Sequence, residues 1–380
     1  MNPTWTPLSG PSHALALDVL INGPLSRVEL ARRLDLSPGS LTRLTKPLVD
    51  SGLLVEVDGT RAQGQRTGRP QTPLDIVPGS HHFVGIKLTG EMAYGVLTNL
   101  RAEVVATEDR PLPSKDPTTI VSVISELVAT LSRRAPSVTA VGISVGGQAA
   151  DHATVSSAPF LDWTDVPLGS MTQRATGLPT VVENDLIALT EAEHWFGAGR
   201  GLDRFAVLTI GAGVGYGLVI RGQVVTSSDA GLGPVGHIPL DPTGPLCFLG
   251  HRGCSTALLS IPAICAGASV ALGRDVGYDE VLDLAAAGNP AARRIIDDAG
   301  TGLGILIALV SNLTMPQRVV ISGEGVRLVE SARPAIDAAI GRVRDPRAQP
   351  IDLDVRPGSF TQWARGAAVI AIQTYVLGVD

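Results

Sequence analysis

Lysine is scarce in this chain: of 30 basic residues only Lys46, Lys87 and Lys115 are lysines, and 36 acidic residues outweigh them all. The formal net charge of −6 excludes a uniformly basic nucleic-acid coat but leaves room for a local basic patch. Cysteine is equally scarce. Cys247, Cys254 and Cys265 cannot form a disulfide framework, and the closeness of the first two points to a metal or thiol feature in a reducing compartment. No apolar run reaches the roughly 18–20 residues of a membrane helix, and the longest, Gly302 to Val310, stops at Ser311-Asn312. No basic region precedes the first apolar stretch, so no secretory signal is visible. The expectation is a cytoplasmic protein without a membrane partner. What is present is globular: 380 residues, 44% hydrophobic and 17% charged, long enough for two or three domains with ample core.

Charge is unevenly spread. Between Pro24 and Pro70 stand eight basic residues (Arg27, Arg32, Arg33, Arg43, Lys46, Arg61, Arg66, Arg69) and five acidic ones (Glu29, Asp35, Asp50, Glu56, Asp58), so this window is +3 while the rest of the chain is −9. An amino-terminal module that meets an anion is implied. Ser12 to Asn22 reads as a helix closed by Gly23-Pro24. Ser26 caps a second helix, with Glu29 completing a capping box. Ser37 caps a third, with Pro38 at its first position and Leu41, Leu44 and Leu48 as its buried face. Ser40, Thr42, Arg43 and Lys46 are left on the outer faces. Two such helices joined by a tight turn form a helix-turn-helix whose second member can enter the major groove. Pro47 removes an amide donor, so a bend is expected near Arg43.

Leu53 to Val57 reads as a strand turning at Asp58-Gly59, the shape of a wing. The following stretch from Arg61 to Pro70 is basic, glycine-rich and unsuited to a regular element. Arg66 and Arg69, with Gly68 beside Arg69, suit a narrow minor groove, where the potential is most negative. The plainer alternative is a small helical bundle with a solvated charged face. Wing and arm together favour DNA.

From His82 the pattern changes. Phe83–Leu88 and Tyr94–Leu97 read as a hairpin turning at Thr89-Gly90. Val138–Val145, Arg204–Ile210 and Arg318–Ile321 read as further strands, ending in Gly146-Gly147, Gly211-Ala212-Gly213 and Ser322-Gly323-Glu324-Gly325. Helices are expected over Thr119–Arg134, Leu186–Phe196 and Ala291–Leu313. This alternation argues for an α/β fold in two lobes around a cleft. Glycine turns after strands let backbone amides approach phosphates, although any one of them also serves as an ordinary tight turn.

Leu36-Ser37-Pro38, Gly68-Arg69-Pro70, Val182-Glu183-Asn184-Asp185, Gly236-His237 and the Cys247–Cys254 segment carry a specific resemblance. In order and spacing they resemble the ROK family (repressors, uncharacterised frames and sugar kinases), in its regulator branch. The resemblance implies an N-terminal winged helix-turn-helix over residues 1–60, then a basic linker or minor-groove arm over 61–80. A two-lobed actin-like, ribonuclease-H-like sugar-kinase fold follows, with lobe 1 at 81–195 completed by the C-terminal helix 361–380. Lobe 2, at 196–360, would carry the Cys/His motif and the dimerisation surface.

The resemblance also implies a site. Asp185 matches the catalytic base of the kinases, here a vestigial one, and Asn184, Gly147 and His237 match ligand-binding positions. Asn184-Asp185 also reads simply as the cap of the next helix. Other positions depart from the family. Lys87 stands where a metal-orienting Asp is usual, Ala212 replaces a phosphate-loop Thr, and Pro234 and Thr256 replace sugar-gripping Glu residues. Phosphoryl transfer needs a base plus donors and metal on the moving group, so neither ATP turnover nor enzyme activity is expected. The family's structural zinc would be held by His237, Cys247 and Cys254, with Leu249 at the fourth ligand position and His251 as its substitute. The alternative is two buried thiols packed as small hydrophobes.

The resulting expectation is a sequence-specific DNA-binding transcriptional regulator, a repressor, that binds a double-stranded operator through Ser37, Ser40, Thr42, Arg43, Lys46, Arg61, Arg66, Gly68 and Arg69. Its degenerate kinase domain would serve dimerisation, as a homodimer or a dimer of dimers, and could take a sugar or sugar-phosphate effector. An active ATP-dependent sugar kinase with an accessory DNA module is the alternative.

Overall fold

A computed structural model describes residues 7–58 and 72–378. The chain divides into two compact units, Met1–Gly201 with Phe360–Asp380, and Leu202–Ser359.

The first unit opens with α1 (Gly10–Asn22), α2 (Arg27–Arg33) and α3 (Pro38–Asp50). Ser26 and Ser37 each accept a backbone amide, from Glu29 and Ser40 respectively, at 3.2 Å, satisfying donors that a helix start leaves orphaned. The Glu29 carboxylate is turned toward Arg33 at 3.3 Å. α3 runs on through Pro47 to Asp50. Strands β1 (Leu54–Glu56) and β2 (Leu74–Ile76) pair antiparallel, with Leu54 opposite Ile76. The expected turn at Gly59 and the arm residues Arg61, Arg66, Gly68 and Arg69 lie outside the described residues.

A five-stranded sheet follows, built from β3 (His82–Leu88), β4 (Met92–Asn99), β5 (Val104–Pro111), β6 (Ala140–Val145) and, after a small sheet of β7 (Gln148–Ala150), β8 (Thr154–Ala158) and β9 (Trp163–Val166), β10 (Thr180–Asn184). Its order is β10-β6-β3-β4-β5, with β10, β6 and β3 parallel. The helices α4 (Pro117–Ser132), α5 (Leu168–Thr176) and α6 (Asp185–Phe196) belong to this unit. Val84, Ile86 and Leu88 pack with α4 in one core, while Phe83 packs with α6 in another, as the two-residue period of a strand requires.

The second unit repeats the plan. Strands β11 (Arg204–Ile210), β12 (Val214–Ile220), β13 (Gln223–Val224), β14 (Arg318–Ser322) and β15 (Leu353–Val355) lie in the order β13-β12-β11-β14-β15. In both sheets an antiparallel meander of three strands is extended beyond its first strand by two parallel ones. This duplicated order is the actin-like, ribonuclease-H-like sugar-kinase topology. Helices α7 (Ser255–Leu259), α8 (Ile261–Leu272), α9 (Tyr278–Ala286), α10 (Pro290–Thr314), α11 (Arg327–Ser331) and α12 (Arg333–Val343) complete this unit. α10 is long and apolar enough to cross a membrane by length and composition, but Ile296, Leu303, Leu306 and Ile307 are fully buried in the core it forms. Cys265 is half-buried on α8, which buries just Ile264 and Ala268.

α13 (Phe360–Ile372) returns to the first unit. It lies so close to the sheet that a Cβ at Gly85 would overlap the Ala364 carbonyl oxygen, and one at Gly142 that of Ala367. Past α13, residues Gln373–Leu377 form a π-helical turn that anchors the amino-terminal helices: Leu8 N donates to Val376 O at 3.0 Å, and the His13 ring bonds Leu377 O. Leu15, Leu20, Leu41, Val376 and Leu377 share one core.

Candidate functional sites

The outer face of α3 is the first candidate site. Leu41, Thr45 and Leu48 are buried, which leaves Ser37, Thr42, Arg43 and Lys46 exposed and Ser40 half-buried. Other basic side chains nearby are engaged: Arg27 bonds Glu56, and Arg33 lies 3.0 Å from Asp18. Arg43 and Lys46 have no such partner among the described residues, so both cations face water from a helix whose other face is anchored. That is the arrangement a recognition helix needs.

The second site is at the carboxyl ends of the central strands of the first unit. Lys87 pairs with Ser144, and Ser144 with Glu183, in the parallel register. Residues 87, 144 and 183 therefore share one face of the sheet, and Asp185 follows in the same parity. Lys87 Nζ forms an ion pair with Asp185 Oδ2; the two side chains are 7% and 19% exposed. The ammonium also stands 5.5 Å from the centre of the Trp363 ring on α13, a distance at which ring and cation attract. Asn184 is spent on structure. Its Oδ1 accepts the amides of Leu186 and Ile187 at 3.0 and 3.1 Å, and its Nδ2 donates to Gly147 O at 2.7 Å and to Asp185 Oδ1 at 3.4 Å. Gly147 is required there, because a Cβ would overlap the Ser157 carbonyl oxygen.

In the second unit, the Gly211–Gly213 turn closes with a 2.9 Å bond from Gly211 N to Gly213 O, and Ala212 is exposed. A Cβ at Gly211 would overlap a carboxylate oxygen of Glu324, so this acid lies directly against the turn. Pro234 opens a 3-10 turn ending at His237, and Thr256 Oγ1 lies 2.7 Å from where a Gly236 Cβ would be.

His237, Cys247 and Cys254 converge, their donor atoms all within 4.8 Å of one another. His237 Nδ1 is 3.7 Å from Cys247 Sγ and 3.9 Å from Cys254 Sγ. Ligands at about 2.3 and 2.0 Å from a tetrahedral zinc stand roughly 3.5–3.8 Å apart, so the three present donors fit the metal. His251 is not among these converging donors, and a hairpin sets where it and Leu249 stand. Cys247 N donates to His251 O and Gly250 N to Cys247 O, both at 2.9 Å. Leu249 is thereby put at the tip, 58% exposed, and His251 opposite Cys247, its ring centre 4.9 Å from that of His237. Gly250, at φ +82°, supplies the left-handed residue this turn needs. Burial and the neighbouring His251 lower the His237 pKa. Burial alone would raise Cys247, but bonds from the Leu249, His251 and Gly250 amides and from Cys254 bring it below an ordinary thiol. Cys254 is raised, chiefly by burial.

Sequence reasoning missed the Lys87–Asp185 pair, the Trp363 ring beneath it and the Glu324 carboxylate. Strand parity carried a signal for the first, since Lys87 is out of place in the apolar strand Phe83–Leu88. The others depend on loop and helix placement that no local pattern encodes.

A family model described as the ROK family matches residues 83–374, and one described as winged helix-turn-helix DNA-binding matches residues 20–55. The chain is similar to the DNA-binding transcriptional repressor Mlc of Escherichia coli (strain K12), with 27% identity over 369 residues covering 93% of this chain and 90% of Mlc. It is also similar to the crystal structure of a ROK family transcriptional regulator described as a homologue of that protein, with a TM-score of 0.80, 25% identity and coverage of 96% of this chain and 98% of that one. A ROK family glucokinase from Streptomyces griseus, in complex with glucose and AMPPNP, gives a TM-score of 0.65 and 26% identity over 76% of this chain and 98% of the kinase. The likeness to the regulator thus extends over nearly the whole chain, and the likeness to the kinase over three quarters of it.

Proposed function

The chain belongs to the ROK family, and we propose that it is a sequence-specific DNA-binding transcriptional regulator, a repressor, whose kinase-like part has become a dimerisation and effector-binding module. The observation that carries this reading is the exposed Arg43–Lys46 face of a capped recognition helix, in a chain similar over 93% of its length to a repressor. Arg43 is the principal base reader, because a guanidinium can bond guanine in two places, a contact worth about 1–3 kcal/mol. Ser37, Ser40, Thr42 and Lys46 position the helix, and Arg61, Arg66 and Arg69, with Gly68, supply the minor-groove arm. A homodimer, or a dimer of dimers, gives two half-sites and operator-grade affinity. An effector, a sugar or sugar phosphate at Asp185, Asn184 and Gly147, acts only through unequal affinity for the DNA-competent and DNA-incompetent states.

Phosphotransfer is not part of this reading. A general base must be free to accept a proton, and Asp185 is held by Lys87. A phosphate loop must be free of competing anions, and Glu324 lies against Gly211. The retained Asp185 and the glucokinase likeness favour the second reading, a working sugar kinase.

His237, Cys247, Cys254 and His251 would hold a structural zinc, which supplies folding energy to the loop that carries them. Nuclease footprinting of the chain on its own upstream DNA tests the main reading. Protection of two related half-sites about one helical turn apart is the expected result, and no protection at competitor excess contradicts it.

A further inference from the structure

The polar groups around Asp185 are largely consumed by one another. Asn184 uses both ends of its amide, and Lys87 lies between Asp185 and Trp363. A carboxylate has about four acceptor sites, so Asp185, 19% exposed, retains capacity for one or two hydroxyl donors. A sugar held edge-on by many hydroxyls needs more than this.

An apolar surface stands beside that carboxylate. Phe160 is 54% exposed. From the point where a Gly146 Cβ would be, its Cδ2 and Cε2 atoms are 3.3 and 3.5 Å away and Asp185 Oδ2 is 3.4 Å away. Ring and carboxylate therefore converge over a residue with no side chain. The ring is presented on a fixed support. Pro159–Leu161 form a 3-10 turn with Leu161 buried. The next residue, Asp162, is ion-paired to Lys115 at 2.7 Å, and Trp163 Nε1 donates to Lys115 O at 2.6 Å. Gly90 backs the Phe160 carbonyl at a distance that leaves a side chain little room. An exposed aromatic on an anchored turn next to one carboxylate with acceptor capacity left has the composition of a small-molecule site: a mostly apolar surface with few, placed polar groups.

We propose that Phe160 is the specificity-determining residue of this site and selects a glycoside with an aromatic aglycone, the aryl ring stacking on Phe160 while a sugar hydroxyl donates to Asp185. The inference rests on the effector-binding part of the proposed function and adds the ligand class to it.

Isothermal titration of the full-length protein with phenyl β-D-glucopyranoside and phenyl β-D-xylopyranoside, against glucose and xylose, tests it. Stacked aromatic pairs gain enough to make one or both phenyl glycosides bind about tenfold tighter than the parent sugar. Phe160→Ala removes that preference, and Phe160→Tyr keeps it. Parent sugars binding as tightly as their phenyl glycosides, no phenyl glycoside binding, or a preference surviving Phe160→Ala each overturn the proposal. All three leave the DNA footprint untouched, so this failure is distinct from failure of the regulator reading.

Discussion

Lys87 at the end of β3 and Asp185 at the start of α6 form an ion pair across 98 residues of sequence, with the lysine almost fully buried over the Trp363 ring. The pair joins the residue that would act as base in a kinase to a cation on β3, two strands away from β10 in the sheet. Breaking one half of a buried pair leaves the other charge without compensation, whereas removing both is close to neutral. Lys87→Met is therefore expected to destabilise the first unit by about 3 kcal/mol, and Lys87→Met with Asp185→Asn to recover most of that. Urea unfolding of both variants measures the difference; equal losses in both would show that the pair carries no coupling.

The same contact bears on chemistry. The wild-type protein is expected to release no ADP from ATP in a sugar-dependent manner, because the base is engaged and Glu324 puts a negative charge at the Gly211 turn. A coupled ADP assay over a sugar panel checks this. Sugar-dependent turnover that Asp185→Asn abolishes would establish the kinase instead.

The metal prediction follows from the hairpin that pairs Cys247 with His251. The purified protein is expected to carry one zinc per chain by elemental analysis, and its cobalt form to show the absorption of a tetrahedral two-sulfur, two-nitrogen site. His251→Ala should weaken zinc markedly, and Leu249→Cys should not replace it, because residue 249 is at the exposed tip. A cobalt spectrum unchanged by His251→Ala would remove His251 from the ligand set.

Much of this architecture is legible in the sequence because it is local. Ser26 and Ser37 announce their helices as caps, and Arg204–Ile210 is a strand to the residue. The glycines inside β3 and β6 were less readable: Gly85 and Gly142 exist to admit α13, more than 200 residues further along the chain. The same long-range return brings Trp363 under Lys87, and the end of the chain under Leu8 and His13. The motif around Asp185 pointed to a candidate site. Its state, with Asn184 and Lys87 already bonded, depends on side-chain partners that spacing does not reveal.

A pH dependence comes from His81, which follows the 3-10 turn Pro78–Ser80 and bonds Ser80 Oγ at 3.0 Å. Burial, reinforced by His82, lowers its pKa from 6.5 to about 4. The unfolded chain therefore binds this proton more readily, so the stability due to a neutral His81 is full above pH 6.5 and is lost as the pH falls toward 4. The ceiling is about 3 kcal/mol, and less because water reaches part of the ring. Thermal unfolding of the wild type and of His81→Asn between pH 4 and 7 reads it: the variant should show a shallower acid loss, and parallel curves would exclude His81.

The most direct test of the regulator account is fluorescence anisotropy of the full-length protein on its own upstream DNA, with unrelated DNA as competitor, over a salt series. The account predicts binding that survives competitor, prefers the upstream fragment, and weakens by roughly 5- to 150-fold in Arg43→Ala, the equivalent of about 1–3 kcal/mol. Equal affinity for unrelated DNA, with a steep salt slope and no response to Arg43→Ala, would reduce the interaction to phosphate attraction and contradict it.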